Sequence, residues 1–282
     1  MSNNKGLGNR MKDYEFVSRY RLTRRTPAII RIDGKAFHTF TKGMKKPFDY
    51  VLMTTMQNTM KYLCENIQGC VFGYTQSDEI SLVLTDYEKI TTDAWFGYNI
   101  QKMSSISASM TSVAFNKFFY KAIDDYANTV EVLSSLSSED GEEKKETKCY
   151  LSTLRDALSK GAVFDARAFS MPKDEVCNYL IWRQQDATRN SIESVGQAYF
   201  SHSDLHKKSC DMIQEMLWSQ KNINWNDFPT SCKRGACCYR KTSTECLKTE
   251  NDEFVEVSRN RWIIDTNIPI FTQSRAFIEK WV

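Results

Sequence analysis

The chain has 282 residues, 41% of them hydrophobic and 26% charged, with a formal net charge of +3. This is enough apolar material for one sizeable core, and the longest apolar runs are strand-length, short of the roughly 20 residues a membrane-spanning helix needs. Met1-Ser2-Asn3-Asn4-Lys5 is no apolar leader, and nine scattered cysteines in odd number suit reduced thiols better than a disulfide framework. A cytoplasmic protein with no membrane contact and no disulfide is therefore expected.

Along the chain, charge is uneven before it is structured. Residues 1–31 carry Lys5, Arg10, Lys12, Arg19, Arg21, Arg24, Arg25 and Arg31 against only Asp13 and Glu15, a surface suited to a polyanion. Pro27 to Ile32, rich in β-branched residues, predicts a buried strand that stops at Asp33-Gly34. Asp49 then suits the N-cap of a helix to about Ile67, with Leu52, Met56, Met60, Leu63, Cys64 and Ile67 at three- and four-residue steps. Cys70 to Thr75 and Ile80 to Thr85 read as a hairpin closed by Ser77-Asp78-Glu79, and residues 92–119 as a second helix. The stretch 130–148 is polar and mixed in charge, which predicts a mobile insertion. Next come a strand near Val163 to Phe169, a helix opened by Ser170 and Pro172 that runs to about Tyr199, and another helix from Ser203 to Ser219. The remainder is less regular; it holds a second basic cluster, Lys233, Arg234, Arg240 and Lys241, interleaved with Tyr239.

The order strand, helix, hairpin, helix, strand predicts an α/β (α+β) fold of one domain over residues 1–282: a ferredoxin-like antiparallel sheet with helices packed on it and a helical C-terminal extension. In that plan the end of the first strand neighbours the hairpin tip. Asp33 and Asp78 would then meet at one end of the sheet, an arrangement of carboxylates that holds two metal ions side by side for phosphoryl or nucleotidyl transfer. Either acid alone would read as an ordinary turn residue. His202, His206 and Cys210 fall at i, i+4 and i+8, the spacing of three metal ligands on one helix face. With no Cys-x-x-Cys pair beside them, surface histidines and a buried cysteine are the expected reading.

Four separated signatures, Arg31-Ile32-Asp33-Gly34-Lys35-Ala36-Phe37-His38, Gly73-Tyr74-Thr75-Gln76-Ser77-Asp78-Glu79, Phe164-Asp165-Ala166-Arg167 and Trp182-Arg183-Gln184-Gln185-Asp186, resemble in content and order the tRNA(His) guanylyltransferase family and its guanylyltransferase-like branch. The resemblance spans about residue 14 to 240. It implies a polymerase-like palm, two Mg²⁺ ions, ATP or GTP that activates a tRNA 5′-monophosphate, attack by the 3′-hydroxyl of the incoming nucleotide, and a homotetramer. Carried onto this sequence, it makes Asp33, the Gly34 carbonyl and Asp78 the metal ligands, with Glu79 supporting them as a third catalytic residue. It places the nucleotide at Asp33, Gly34, Lys35, Ala36, Phe37, His38, Ser77 and Asp78, with Lys46 and Lys102 on the triphosphate. His38 is a base or triphosphate contact, or else a polar core histidine. Hard oxygen ligands suit Mg²⁺, and lysines suit phosphates. Arg21, Arg24, Arg25, Asn190, Lys233 and Arg234 are the expected tRNA contacts.

One run departs from the resemblance. Members that act on tRNA(His) carry His-Ile-Asn-Asn-Leu-Tyr-Asn after the Trp-Arg-Gln-x-Asp signature, whereas this chain has Thr188-Arg189-Asn190-Ser191-Ile192-Glu193-Ser194. The departure favours template-dependent repair of tRNA lacking 5′ nucleotides over G addition at position −1. A nucleotide cyclase, which resembles the same palm, would leave the basic N-terminus idle, and a non-catalytic tRNA-binding module would not need both Asp33 and Asp78.

Overall fold

The computed structural model describes residues 6–136, 142–248 and 254–282. Its centre is a six-stranded antiparallel sheet. β1 (Ala28–Gly34) is the strand its β-branched run predicts, with Ile29, Ile30 and Ile32 wholly buried. β2 (Cys70–Gln76) and β3 (Glu79–Leu84) form the hairpin, and β4 (Phe164–Ser170) lies on the other side of β1. β5 (Ala236–Lys248) and β6 (Phe254–Asp265) complete the order β4-β1-β3-β2-β5-β6. The first four strands in that order are the ferredoxin-like arrangement.

The expected helical C-terminal extension needs correcting here. After four helical segments the chain returns as the β5–β6 hairpin, whose first residues pair with β2 from Phe72↔Tyr239 to Thr75↔Ala236. Beyond that point β5 pairs with β6 alone, as far as Lys248↔Phe254. Its Arg-Lys-Thr-Ser-Thr-Glu composition offers no alternating apolar face, which is the pattern strand prediction relies on.

Helices cover both faces. α1 (Leu7–Phe16), not among the predicted elements, has no buried residue. A single turn, α2 (Phe37–Phe40), leads to α3 (Tyr50–Asn66), whose N-cap Asp49 accepts from Leu52 N at 3.0 Å as predicted. The second long helix, α4 (Ile100–Leu136), starts later than residue 92 because Phe96, Gly97 and Tyr98 all have positive φ; Asn99 Oδ1 then accepts from Lys102 N. α3 and α4 bury Met56, Met60, Leu63, Met103, Phe115 and Phe119 against Ile30, Ile32, Ile80 and Leu82. Each such side chain contributes about 1.5–3 kcal/mol when fully buried. On the other face α6 (Lys173–Tyr199) packs Val176, Tyr179 and Leu180 against Ile29, Phe72, Tyr74 and Val83.

The stretch expected as a mobile insertion is helical wherever it is described. α4 runs through residues 130–136, and α5 (Glu142–Lys160) takes up 142–148; residues 137–141 lie outside the described residues. Glu and Lys are good helix formers, and α5 is anchored by Tyr150, Leu154 and Ala157, all buried. Tyr150 donates to Asp49 Oδ2 at 2.7 Å, so α5 is tied to the cap of α3.

The helix expected from Ser203 to Ser219 is two. α7 (His202–Leu205) ends in a turn where Lys207 has φ 59°, and α8 (Cys210–Lys221) restarts at the N-cap Ser209. His202, His206 and Cys210 therefore share no continuous helix face. Both histidines are exposed and Cys210 is half-buried. α9 (Thr230–Arg234) then leads through Gly235 into β5, and α10 (Ala276–Glu279) closes the α6 side of the core.

Gly235 has φ +80°, and a Cβ there would lie 2.3 Å from the Thr75 carbonyl oxygen. Left-handed strain and a backbone clash coincide, so Gly235→Ala is expected to destabilise the protein by at least about 2 kcal/mol. Gly8→Ala, with nothing within 4 Å of the added methyl, should change stability by less than about 0.5 kcal/mol. Urea unfolding midpoints of both variants check the contrast.

Candidate active site

β1 runs out at Asp33-Gly34 beside the β2–β3 turn. Asp33 stands opposite Glu79 on β3 and Asp165 on β4, and Gly34 N donates to the Asp78 carbonyl at 3.2 Å. The turn itself is only Ser77-Asp78, with Ser77 at φ 49°. Such a short link gives Asp78 little freedom of its own. A side chain at residue 34 would place its Cβ 2.2 Å from the Phe37 ring, so the glycine is demanded by close packing. Phe37 belongs to the core, within 5.0–5.6 Å of the Phe40, Phe115 and Phe164 rings.

Beneath these acids lies an ionic cluster. Glu79, 5% exposed, has Oε1 at 2.8 Å from Arg183 Nε and Oε2 at 3.2 Å from Arg31 Nε. Neither contact has hydrogen-bond alignment; both are ion pairs. Arg183 Nη2 also donates to Asp186 Oδ2 at 2.6 Å, Arg189 pairs with the other oxygen of Asp186, and the Arg183 guanidinium sits 4.2 Å from the centre of the Trp182 ring. Burial pushes the Glu79 carboxyl up from its ordinary value against the pull of Arg183 and Arg31. Burial likewise raises Asp78, and the nearby Asp33 charge adds to the rise. A carboxylate placed against another in a half-buried site gains from a bound cation.

Among the described residues, no three His, Cys, Asp or Glu side chains converge on a point that could hold a metal ion. Asp33 and Asp78 are the carboxylates at this sheet end that could hold a metal ion, and they would need backbone carbonyls and oxygens of a bound phosphate to complete its shell. That balance of ligands is what Mg²⁺ commonly takes.

Residues 8–172 match the family model described as Thg1, tRNAHis guanylyltransferase. The chain belongs to the tRNAHis guanylyltransferase family. A bacterial guanylyltransferase-like protein solved in complex with ATP is 38% identical, with a TM-score of 0.75 over 98% of this chain and 99% of that one. The structure described as its complex with GTP has a TM-score of 0.71 at the same identity and coverage. A probable tRNA(His) guanylyltransferase of Dictyostelium discoideum is 24% identical over 89% of this chain and 90% of its own. This member of the family is accordingly a tRNA guanylyltransferase-like nucleotidyltransferase with a palm-like sheet.

The remaining residues singled out in this guanylyltransferase-family chain are dispersed. Lys35 and His38 are exposed beside the site, and Ala36 holds φ 54° between them. Lys46 is exposed in a cleft of about 690 Å³ between the α2–α3 loop, α5 and Phe228. Lys102 is exposed on the first turn of α4, its Nζ 5.7 Å from the Phe96 ring. Arg21 is exposed, but Arg24 pairs with Asp86 and Asp93, and Arg25 donates to the Asp86, Lys89 and Ile90 carbonyls. Both arginines thus brace residues 24–25 against 86–93. Lys233 is buried, donates to the Asn226 carbonyl and lies over Trp225, and burial lowers its pKa; Arg234 and Asn190 are half-buried. Arg31, Arg183 and Asp186 were absent from the expected site residues although all three stand in the four signatures. An arginine two residues before a metal-type Asp on the same strand face was the available signal.

Asp78 predicts a pH signature. Its folded pKa lies above its ordinary 3.8, so the folded state holds the proton longer than the unfolded chain, and stability falls as pH rises through that window. Asp78→Asn removes the titration. Without divalent metal, the variant should melt higher than wild type at pH 7, and the difference should vanish as pH falls below about 4. Thermal unfolding with EDTA across pH 3.5–7.5 checks this; a constant offset would contradict it.

Proposed function

We propose that this enzyme adds nucleotides to RNA 5′ ends in the 3′-to-5′ direction, chiefly to refill 5′-truncated tRNA opposite its 3′ strand. The observation that carries the chemistry is the meeting of Asp33 and Asp78 at the sheet end, above an intact Arg31–Glu79–Arg183 brace. In this reading Asp33, the Gly34 carbonyl and Asp78 hold two Mg²⁺ ions, which when bound neutralise phosphate charge and orient an in-line attack. ATP or GTP activates the 5′-phosphate, as the ATP and GTP complexes of the bacterial relative support. Lys46, Lys102 and His38, all exposed, are assigned to the triphosphates as the resemblance implies. Glu79, with both oxygens facing guanidinium groups, positions the strand ends and holds no metal in this assignment.

Preference for templated repair rests on the run Thr188 to Ser194. Ser191 is buried and accepts from Trp225 Nε1 at 3.0 Å, Ile192 is in the core, Thr188 donates to the Gln184 carbonyl, and Arg189 is tied to Asp186. Of this run Ser191 and Ile192 are buried, which leaves Arg189 and Asn190 as groups that could reach RNA. Base pairing across the acceptor stem supplies that information without protein contacts. The second reading, G addition to tRNA(His), is favoured by the family model and by the Dictyostelium relative.

Two outcomes are expected. Asp33→Asn or Asp78→Asn should lower transfer by about a thousandfold, the loss of several kcal/mol of charge stabilisation, and should abolish the rise in melting temperature that Mg²⁺ gives wild type. At one fixed salt concentration, kcat/KM for a 5′-truncated tRNA should exceed that for intact tRNA(His) by roughly tenfold or more. A preference for intact tRNA(His) would establish the second reading instead.

A further inference from the structure

Trp182 stands out on α6. Tyr179, Leu180, Arg183 and Gln184 around it are buried, yet Trp182 is 51% exposed. It is nonetheless held from several sides. The Arg183 guanidinium lies 4.2 Å from its ring centre, the Arg31 guanidinium 6.0 Å, and the Tyr179 ring 6.0 Å at 63°. Arg183 is itself fixed by Glu79 and Asp186, and Arg31 by Glu79. An exposed indole held this firmly loses little conformational entropy when something stacks on it.

Its surroundings say what that ligand is. Arg31 and Asp33 project from the same face of β1, two residues apart, so the indole lies on the surface that carries the site acid. In the sheet register Arg31 stands opposite Arg167 of β4, the outermost strand on that side. Arg167 is 58% exposed, and its ion pair to Asp165 is long, at 3.7 Å. An aromatic plate and an exposed guanidinium on an open sheet edge fit a base and its phosphate, the pairing that single-stranded nucleic acid sites use.

We propose that Trp182 and Arg167 form a nucleobase-stacking site beside Asp33, with Trp182 under the base and Arg167 on the adjoining phosphate. The proposal rests on the nucleotidyl-transfer reading for its biological meaning but not for its measurement. The base comes from the RNA 5′ end or from a nucleoside triphosphate, and the test separates these sources.

The test titrates the full-length protein with two probes, a tRNA acceptor duplex carrying 2-aminopurine at its 5′ end and 2-aminopurine riboside triphosphate, and follows stacking by fluorescence quenching. Wild type should quench at least one probe. Trp182→Ala should lose that quench and bind the same probe roughly tenfold or more weakly, while Trp182→Phe keeps much of both. Arg167→Gln should keep the quench but weaken binding, with a shallower salt dependence. Quenching of the duplex alone identifies the RNA end as the ligand, and of the triphosphate alone the nucleotide. Undiminished quenching and affinity in Trp182→Ala would overturn the proposal. So would equal losses in the Ala and Phe variants that track a lowered melting temperature, since Trp182 would then be only a brace for Arg183. An extension assay on the same duplex reports separately on the transfer reading, which can fail while the stacking signal remains.

Discussion

The fold around the site depends on one buried carboxylate. Glu79 sits where β3 begins, faces guanidinium groups from β1 and α6, and is almost inaccessible to water. Removing any partner would strand a charge in a low-dielectric setting, a loss of about 3–5 kcal/mol in comparable buried pairs. The cluster therefore does less to add stability than to fix geometry. It sets the height of α6 over the sheet and the alignment of β1 against β3, so the ends of both strands, and the acids on them, have one relative position.

Above that cluster the chemistry runs the other way. Among the described residues no ion pair holds Asp33 or Asp78, and the fold keeps them close through a two-residue turn and a Gly34–Asp78 backbone bond. The same protein thus neutralises one acid internally and leaves two to be neutralised from outside. Burial of Asp78 beside the Asp33 charge costs stability at the tip, as is common where a fold places charged groups for chemistry.

Much of this was readable in the residues. The Ile29-Ile30-Arg31-Ile32 run, the Asp49 cap and the Ser77-Asp78 turn are local signals, and each produced the element it predicts, including the antiparallel neighbourhood of Asp33 and Asp78. The elements that escaped were decided by partners far along the chain. The β5 strand has no apolar alternation and exists because β2 offers an open edge and β6 completes the pairing. Residues 130–136 and 142–148 read as part of a mobile insertion by polarity, but helix propensity carries both stretches and Tyr150 docks α5 onto Asp49. Arg24, Arg25 and Lys233 were read as tRNA contacts, and nothing local reveals that Asp86, Asp93 and the Asn226 carbonyl also engage them. Charge is legible in a sequence; whether it is already satisfied is a tertiary fact.

The β5–β6 ribbon also changes the protein's social behaviour. In a four-strand ferredoxin-like sheet, β2 would be an outer strand, a row of unsatisfied amides next to the apolar residues Phe72 and Tyr74, and a template for cross-β association. Here β5 occupies that position and passes the border outward to β6. That border carries Arg259, Arg261 and Trp262 opposite Ser243, Lys241 and Arg240. The ribbon thus covers the edge of β2 and leaves β6 as the sheet's outer strand on that side.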